Sequence, residues 1–333
     1  MVDVVCLGEV LVDFVAEDLN VALENVVRFR RAPGGAPANV ACGVVKLGGT
    51  AAFVGKVGDD PFGRMLTRTL GDVGVDTSHL AVSSAARTTL VFVGVHRDGR
   101  KDMCFYRHPG ADMMLSAADI DAAWLASAKA LHFGSISLID PGPREATLRA
   151  ARIARQAGLL VTFDPNYRQG LWPSEAEARH RIAEGLALAE VVKVADEELR
   201  LVAGSDDHRT AAEYILAQGP HLAVISCGAE GSHGFLRGDV PGRASSDCPV
   251  PGFRVKAVET TGAGDGFMAS LLVDLLAARS AGRDLAALGE DDLRRIYTRA
   301  NAVGALTCTR AGAIPGLPTR DEVDRFLAGQ PGR

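Results

Sequence analysis

No two of the six cysteines, Cys6, Cys42, Cys104, Cys227, Cys248 and Cys308, form a C-x-x-C pair, and their wide spacing excludes a zinc ribbon and a disulfide scaffold. Buried, reduced thiols are expected. No apolar run approaches the roughly 20 residues that span a bilayer. The longest, such as Ala269–Ala278, are interrupted by polar side chains. Met1–Asp13 lacks the basic n-region of a secretory signal, so a cytoplasmic protein with no membrane partner is expected. Positive charge is outnumbered: the net charge is −5, and clusters such as Arg28-Phe29-Arg30-Arg31 are too short and isolated for a nucleic-acid surface. The expected partner is therefore a small molecule. Internal repeats and low-complexity linkers are also lacking, so any second unit elaborates the first rather than standing alone.

What the chain does have is apolar residues, 47% over 333 positions, enough for a large core. β-rich apolar runs at Val4–Leu7, Ala52–Val57, Ala130–Phe133, Leu159–Phe163, Val191–Val194 and Leu222–Ser226 alternate with helical periods at Pro143–Gln156, Ser174–Leu188 and His208–Gln218. That order predicts an α/β fold, a doubly wound, mainly parallel sheet with helices on both faces. Thr88–His96 and Lys101–Arg107 break the pattern. They alternate in strand fashion around Arg97-Asp98-Gly99-Arg100, where Asp-Gly signals a hairpin. With Phe14–Arg31, which lacks a helical stripe, they predict a small β-sheet lid. The expected division is residues 1–14, 33–86 and 109–333 in the core, with 15–32 and 87–108 in the lid. Residues 311–318 read as an ordered turn before a last helix from Thr319.

Two glycine clusters invite a ligand. In Val255–Met268, a β-type run leads into Gly262-Ala263-Gly264, and Asp265 opens a helix to about Ala278. Small residues let a phosphate approach the backbone, and the first free N–H groups and the helix dipole attract it. The same dipole keeps a carboxylate at Asp265 ionised, although an Asp there is equally a plain helix cap. Upstream, Pro33–Ala41 carries paired glycines before an apolar helix at Ala38–Leu47, and Asn39 can donate to one hydroxyl while accepting from another. A tight loop is the plainer alternative. Gly49–Val57 imitates a P-loop but is one residue too long between glycines and has Val57 where a Ser or Thr is needed.

The segments GGAPANVA (34–41), KVGDDPFG (56–63), FYRHPGADMML (105–115), DPNYR (164–168) and TTGAGDGF (260–267) together resemble the ribokinase-like (PfkB-type) sugar kinases. Order and spacing match from Val5 to Leu327. LHFGSISLID (131–140) and GAIPGLPT (312–319) are similar to fructokinases in particular. The resemblance implies an ATP-dependent kinase with a lid, often a homodimer built through the lids. It implies that Asp265 accepts the proton of the acceptor hydroxyl while the Gly262, Ala263 and Gly264 amides form an anion hole. Asp13, Gly34, Gly35, Asn39, Phe105, Arg107 and Arg168 then surround the sugar. Asn166, Lys193, Ser226, Gly228, Gly231 and Asn301 fall at positions that serve ATP, consistent with ligands lying beyond the carboxyl ends of strands.

Two departures bear on metals. The family's Asn-x-x-Glu motif is here Ala195-Asp196-Glu197-Glu198, which retains the Glu and loses the Asn, so Glu198 would order Mg²⁺ through water. Glu259 stands where many relatives have Asp, in a loop with Thr261 that binds a monovalent cation, which leaves a K⁺ requirement open. The expected reaction is phosphorylation of a primary hydroxyl of a ketohexose, fructose to fructose 6-phosphate. The alternatives are a 2-keto-3-deoxygluconate kinase, with Arg107 and Arg168 as anion clamps, another sugar or nucleoside kinase of the same kind, and a catalytically inactive sugar-binding relative.

Overall fold

A computed structural model describes residues 2–97, 100–238 and 244–330. Its thirteen strands are, in chain order, β1 (Val4–Leu7), β2 (Leu11–Leu19), β3 (Phe29–Gly34), β4 (Ala51–Gly58), β5 (Leu80–Ser83), β6 (Leu90–Val95), β7 (Lys101–Tyr106), β8 (Ala130–Gly134), β9 (Leu160–Asp164), β10 (Val191–Ala195), β11 (Leu222–Ser226), β12 (Gly231–Leu236) and β13 (Cys248–Pro251).

Nine of these strands form one sheet in the order β13-β12-β11-β10-β9-β8-β1-β4-β5. It is parallel from β11 through β5, and β12 and β13 add an antiparallel edge. β1 and β8 are apolar almost throughout because both faces are covered. Alternation divides the core in two. Val4 and Cys6 join one cluster with the helices Ala36–Lys46, Ala263–Ser280 and Glu290–Thr307. Val5 and Leu7 face the opposite cluster, built with Pro141–Gln156, Glu175–Leu186 and His208–Ala217. This is the doubly wound arrangement expected from the sequence. The helices fall within about two residues of the periodic segments, and Pro141 sits in a first turn where its missing N–H costs nothing. Asp60, Ser174, Asp207 and Thr319 cap the helices that follow them. The tail turn contains a short helix of its own, Ala313–Gly316.

The four other strands form a separate sheet in the order β3-β2-β6-β7. It carries no crossover helix between β6 and β7, as the sequence alternation predicts. His96 N–H donates to Arg100 O at 2.9 Å beside the turn; Asp98 and Gly99 lie outside the described residues. Pairing places Ala32, Asp13, Val91 and Phe105 in one row across the sheet. With a period of two, Arg30 and Lys101 share that face. The opposite face is aromatic: Phe14 stacks on Phe92 at 5.2 Å, and Phe29 and Tyr106 meet Phe92 edge-on.

The thiols differ from expectation. Cys6, Cys42 and Cys248 are buried, but Cys104 is exposed on β7 and Cys227 and Cys308 are half-buried. Wide spacing argues against a disulfide scaffold but does not specify burial.

Candidate active site

The Ala263–Ser280 helix begins at Gly262, whose φ of +84° is left-handed, and an added Cβ would lie 2.8 Å from the Ala313 side chain. Only glycine fits that turn. The Ala263 amide donates to Thr260 O at 3.2 Å. The Gly264 and Asp265 amides lie in the first turn, where an N–H has no intrahelical partner and is of the kind that can meet an anion. A Cβ on Gly264 would come within 2.9 Å of Lys193 Nζ, so the glycine lets that ammonium stand against the helix start.

Asp265 accepts a hydrogen bond from Asn39 Nδ2 at 2.8 Å, across 226 residues of sequence. This contact joins the two glycine clusters. The helix dipole does not dominate at Asp265. Burial pushes its carboxyl up to about 6, opposed by the Asn39 hydrogen bond; the Asp164 charge adds to the rise, and Lys193 and Arg168 oppose it. The group is therefore mainly ionised at pH 7 and basic enough to take a proton.

Asp13, Gly34, Gly35 and Arg168 of the expected sugar site lie around Asn39 and Asp265. A Cβ on Gly34 would meet Asp13 Oδ2 at 2.4 Å, and one on Gly35, at φ +105°, would strike the Glu9 carbonyl. Asn39 Oδ1 is buried without a protein partner. Burial raises the Asp13 carboxyl to about 6, with Lys101 and Arg168 opposing. Phe105 packs with Leu11, Val91 and Val93 on the same face of the small sheet as Asp13. Arg107 is 2% exposed and pairs with Asp112 at 2.7 Å and Asp140 at 2.8 Å, leaving Nη2 without a protein partner. Arg168 donates to the carbonyls of Asn166 and Tyr167. Its charge acts on Asp265, Asp13 and Glu198.

Towards the carboxyl ends of the strands, Lys193 within β10 pairs with Asp164, the last residue of β9, at 2.9 Å, both buried. Asp164 Oδ1 has no protein partner. Asn166 adopts φ +43°, a left-handed conformation that asparagine tolerates, and this turns the chain out of β9. Glu198 accepts from the Tyr167 and Ala195 amides, and burial, then Asp164, raises its carboxyl to about 7. Ser226 ends β11, Gly228 has φ +53°, and Gly231, at φ +110°, would place a Cβ 2.1 Å from Val250 O. Asn301 Nδ2 donates to Val250 O at 3.2 Å, tying the Glu290–Thr307 helix to β13.

Asp164 Oδ1, a hard oxygen buried without a protein partner, fits a Mg²⁺ shell, with the Glu198 carboxylate in its field. The loop before the anion site does not fit a monovalent cation in the same way. The Glu259 carboxylate accepts from Arg30 at 2.9 Å and from the Gly312 amide at 2.9 Å, and the Thr261 hydroxyl accepts from Lys101. Two fixed cations from the small sheet already stand there.

Glu9, Arg30, Lys101 and Asp164 escaped the sequence reading. Glu9 Oε1 accepts from the Ala36 amide, Oε2 has no partner, and burial raises its carboxyl to about 7. Strand parity with Asp13 and Phe105 would have found Arg30 and Lys101. Asp164 was within reach too, because a lysine buried in an apolar strand needs a counter-charge. A separate hollow of about 270 Å³, lined by Leu160, Glu190, His221 and Arg279, lies at the opposite strand ends and holds none of these groups.

Residues 1–320 match the pfkB family carbohydrate kinase profile. A fructokinase-1 from Zea mays is 44% identical over 325 residues, covering 97% of each chain. Among solved structures, a fructokinase with bound ATP from Xylella fastidiosa has a TM-score of 0.87 at 32% identity, covering 98% of both chains. One from Vibrio cholerae, in a form with fructose, ADP and calcium ion bound, has a TM-score of 0.85 at 32% identity, covering 98% of this chain and 99% of that one.

Proposed function

Because this chain belongs to the pfkB family of carbohydrate kinases, we propose that it transfers the γ-phosphoryl group of ATP to the O6 hydroxyl of fructose. The observation that carries the reading is the Asn39–Asp265 hydrogen bond, which sets a buried, ionisable carboxylate between a sugar-type glycine pair and an anion-facing helix start. Asp265 accepts the O6 proton as oxygen bonds to the γ-phosphorus and the bond to the bridging oxygen of ADP breaks. Charge on the transferring group meets the Gly264 and Asp265 amides and Lys193. In a loose transition state this positioning outweighs base strength. Mg²⁺ held through water by Asp164 and Glu198 would neutralise phosphate charge when it arrives with ATP.

The small sheet acts as the lid, with Asp13 and Phe105 towards the sugar, and its closure excludes water. Arg30 and Lys101 anchor it to the Glu259–Thr261 loop and supply positive charge there, so K⁺ is not required. A second copy of the chain covers the part of the aromatic face around Phe92 and the exposed Tyr106, away from where Phe14 meets Phe62 of the core, giving a homodimer. Sedimentation of Phe92→Asp as a monomer beside a dimeric parent would support this.

Arg107 argues against an acidic sugar, because Asp112 and Asp140 neutralise its charge and leave no surplus for a substrate carboxylate. A coupled ADP-release assay across fructose, 2-keto-3-deoxygluconate, ribose, adenosine and glucose tests the reading. Fructose should give the highest kcat/KM. Preference for the keto-acid would overturn the sugar assignment, and no turnover with any acceptor would point to a binding protein.

A further inference from the structure

Three ligand-type side chains that phosphoryl transfer leaves idle meet behind the nucleotide loop. His208 opens the His208–Ala217 helix, Cys227 follows β11 between Ser226 and Gly228, and His233 lies in β12. Their donor atoms all lie within 4.8 Å of one another, and all three residues are half-buried. The two imidazoles meet edge-to-face with centroids 4.8 Å apart.

His233 has the support expected of a metal ligand. Its Nδ1 lies 3.1 Å from Asp247 Oδ1, which fixes the ring and leaves Nε2 for a metal. Carboxylate–histidine pairs of this kind orient imidazoles at zinc sites. Burial, and then the charges of Asp196, Glu197 and Glu230, push the Cys227 thiol up to about 11, so the proton leaves only when a cation takes its place, and the same acidic charges attract that cation. One thiolate and two imidazoles suit a borderline ion such as Zn²⁺ and not the hard Mg²⁺ that accompanies ATP. The ligands come from three elements, with five residues between Cys227 and His233, so no metal-binding motif marks the site in the sequence.

We propose that His208, Cys227 and His233 bind one Zn²⁺ ion, and that the ion restrains the Ser226–Gly231 loop so that ATP binds less readily. Binding replaces the Cys227 S–H bond with a zinc–thiolate bond and releases one proton to solvent. The fourth position is open to water.

The test uses the whole chain in excess Mg²⁺. Zn²⁺ is titrated against a chromophoric chelator, and Co²⁺ is used as a spectroscopic stand-in. The expected result is one ion per chain, one proton released and a thiolate-to-cobalt charge-transfer band. Cys227→Ser should abolish the band, and His208→Ala should weaken Zn²⁺ binding by roughly a hundredfold or more. Asp247→Asn should weaken it by about ten- to a hundredfold. Matching thermal unfolding without metal shows that each variant folds. Zn²⁺ should raise the KM for ATP in the parent and not in His208→Ala. Substoichiometric binding, unchanged affinity in Cys227→Ser and His208→Ala, or equal inhibition of parent and His208→Ala would each overturn the proposal.

Discussion

Replacing Asp265 with Asn should stabilise the protein while nearly abolishing turnover. Burial raises this carboxyl from 3.8 to about 6, so the folded state pays to keep it charged. A shift of about 2 units corresponds to about 3 kcal/mol at a pH above both values. A raised carboxylate pKa costs nothing below pH 3.8, where both states are protonated, and the full amount above about 6. At pH 5 roughly half remains. Asparagine can still accept from Asn39 through its carboxamide oxygen, and Lys193 keeps Asp164 as its partner. Urea unfolding at pH 8 should show Asp265→Asn more stable by about 2–3 kcal/mol, a margin that narrows towards pH 5. Turnover should fall by roughly 10²–10⁴ while ATP still binds. A variant less stable than its parent at pH 8, a margin independent of pH, or near-normal turnover would refute the reasoning.

Other consequences follow from the same groups. The kcat/KM for sugar should fall as pH drops through about 6, because Asp265 must be ionised to accept the proton; a flat profile from pH 5 to 8 would contradict that role. Arg107→Met should cost about 3–5 kcal/mol in urea unfolding, since it strands Asp112 and Asp140 beside a buried gap. A loss under about 1 kcal/mol would show that the pairs are not coupled to folding. Exchanging K⁺ for Na⁺ at constant ionic strength should leave kcat unchanged, given Arg30 on Glu259 and Lys101 on Thr261. Strong K⁺ activation would show that those lysine and arginine contacts yield to a bound ion.

The parallel sheet was legible because strands buried on both faces must be apolar almost throughout, as Val4–Leu7 is and as Val191–Ala195 is apart from Lys193. The small sheet was legible from alternation, and its turn signal fell on Asp98-Gly99. Local chemistry also marked Gly262 and Gly264, since each occupies a position that any side chain would obstruct. Partnerships were not legible. Nothing near Asp265 in sequence announces Asn39, and nothing near Arg107 says that Asp140 will take half its charge. The ionisation of Asp265 was argued from the helix dipole, a local property, yet burial by distant elements decides it. Glu9 was missed for the same reason: it looks like a strand-end acid until Ala36 and Gly35 pack over it.

The most direct measurement is the NMR spectrum of the product made from fructose and ATP by the purified protein. The account predicts phosphorus–carbon coupling at C6, with one ADP formed per sugar phosphate and both formed far more slowly by Asp265→Asn. ADP release without a phosphorylated sugar, or phosphate on a ring hydroxyl remote from C6, would contradict it.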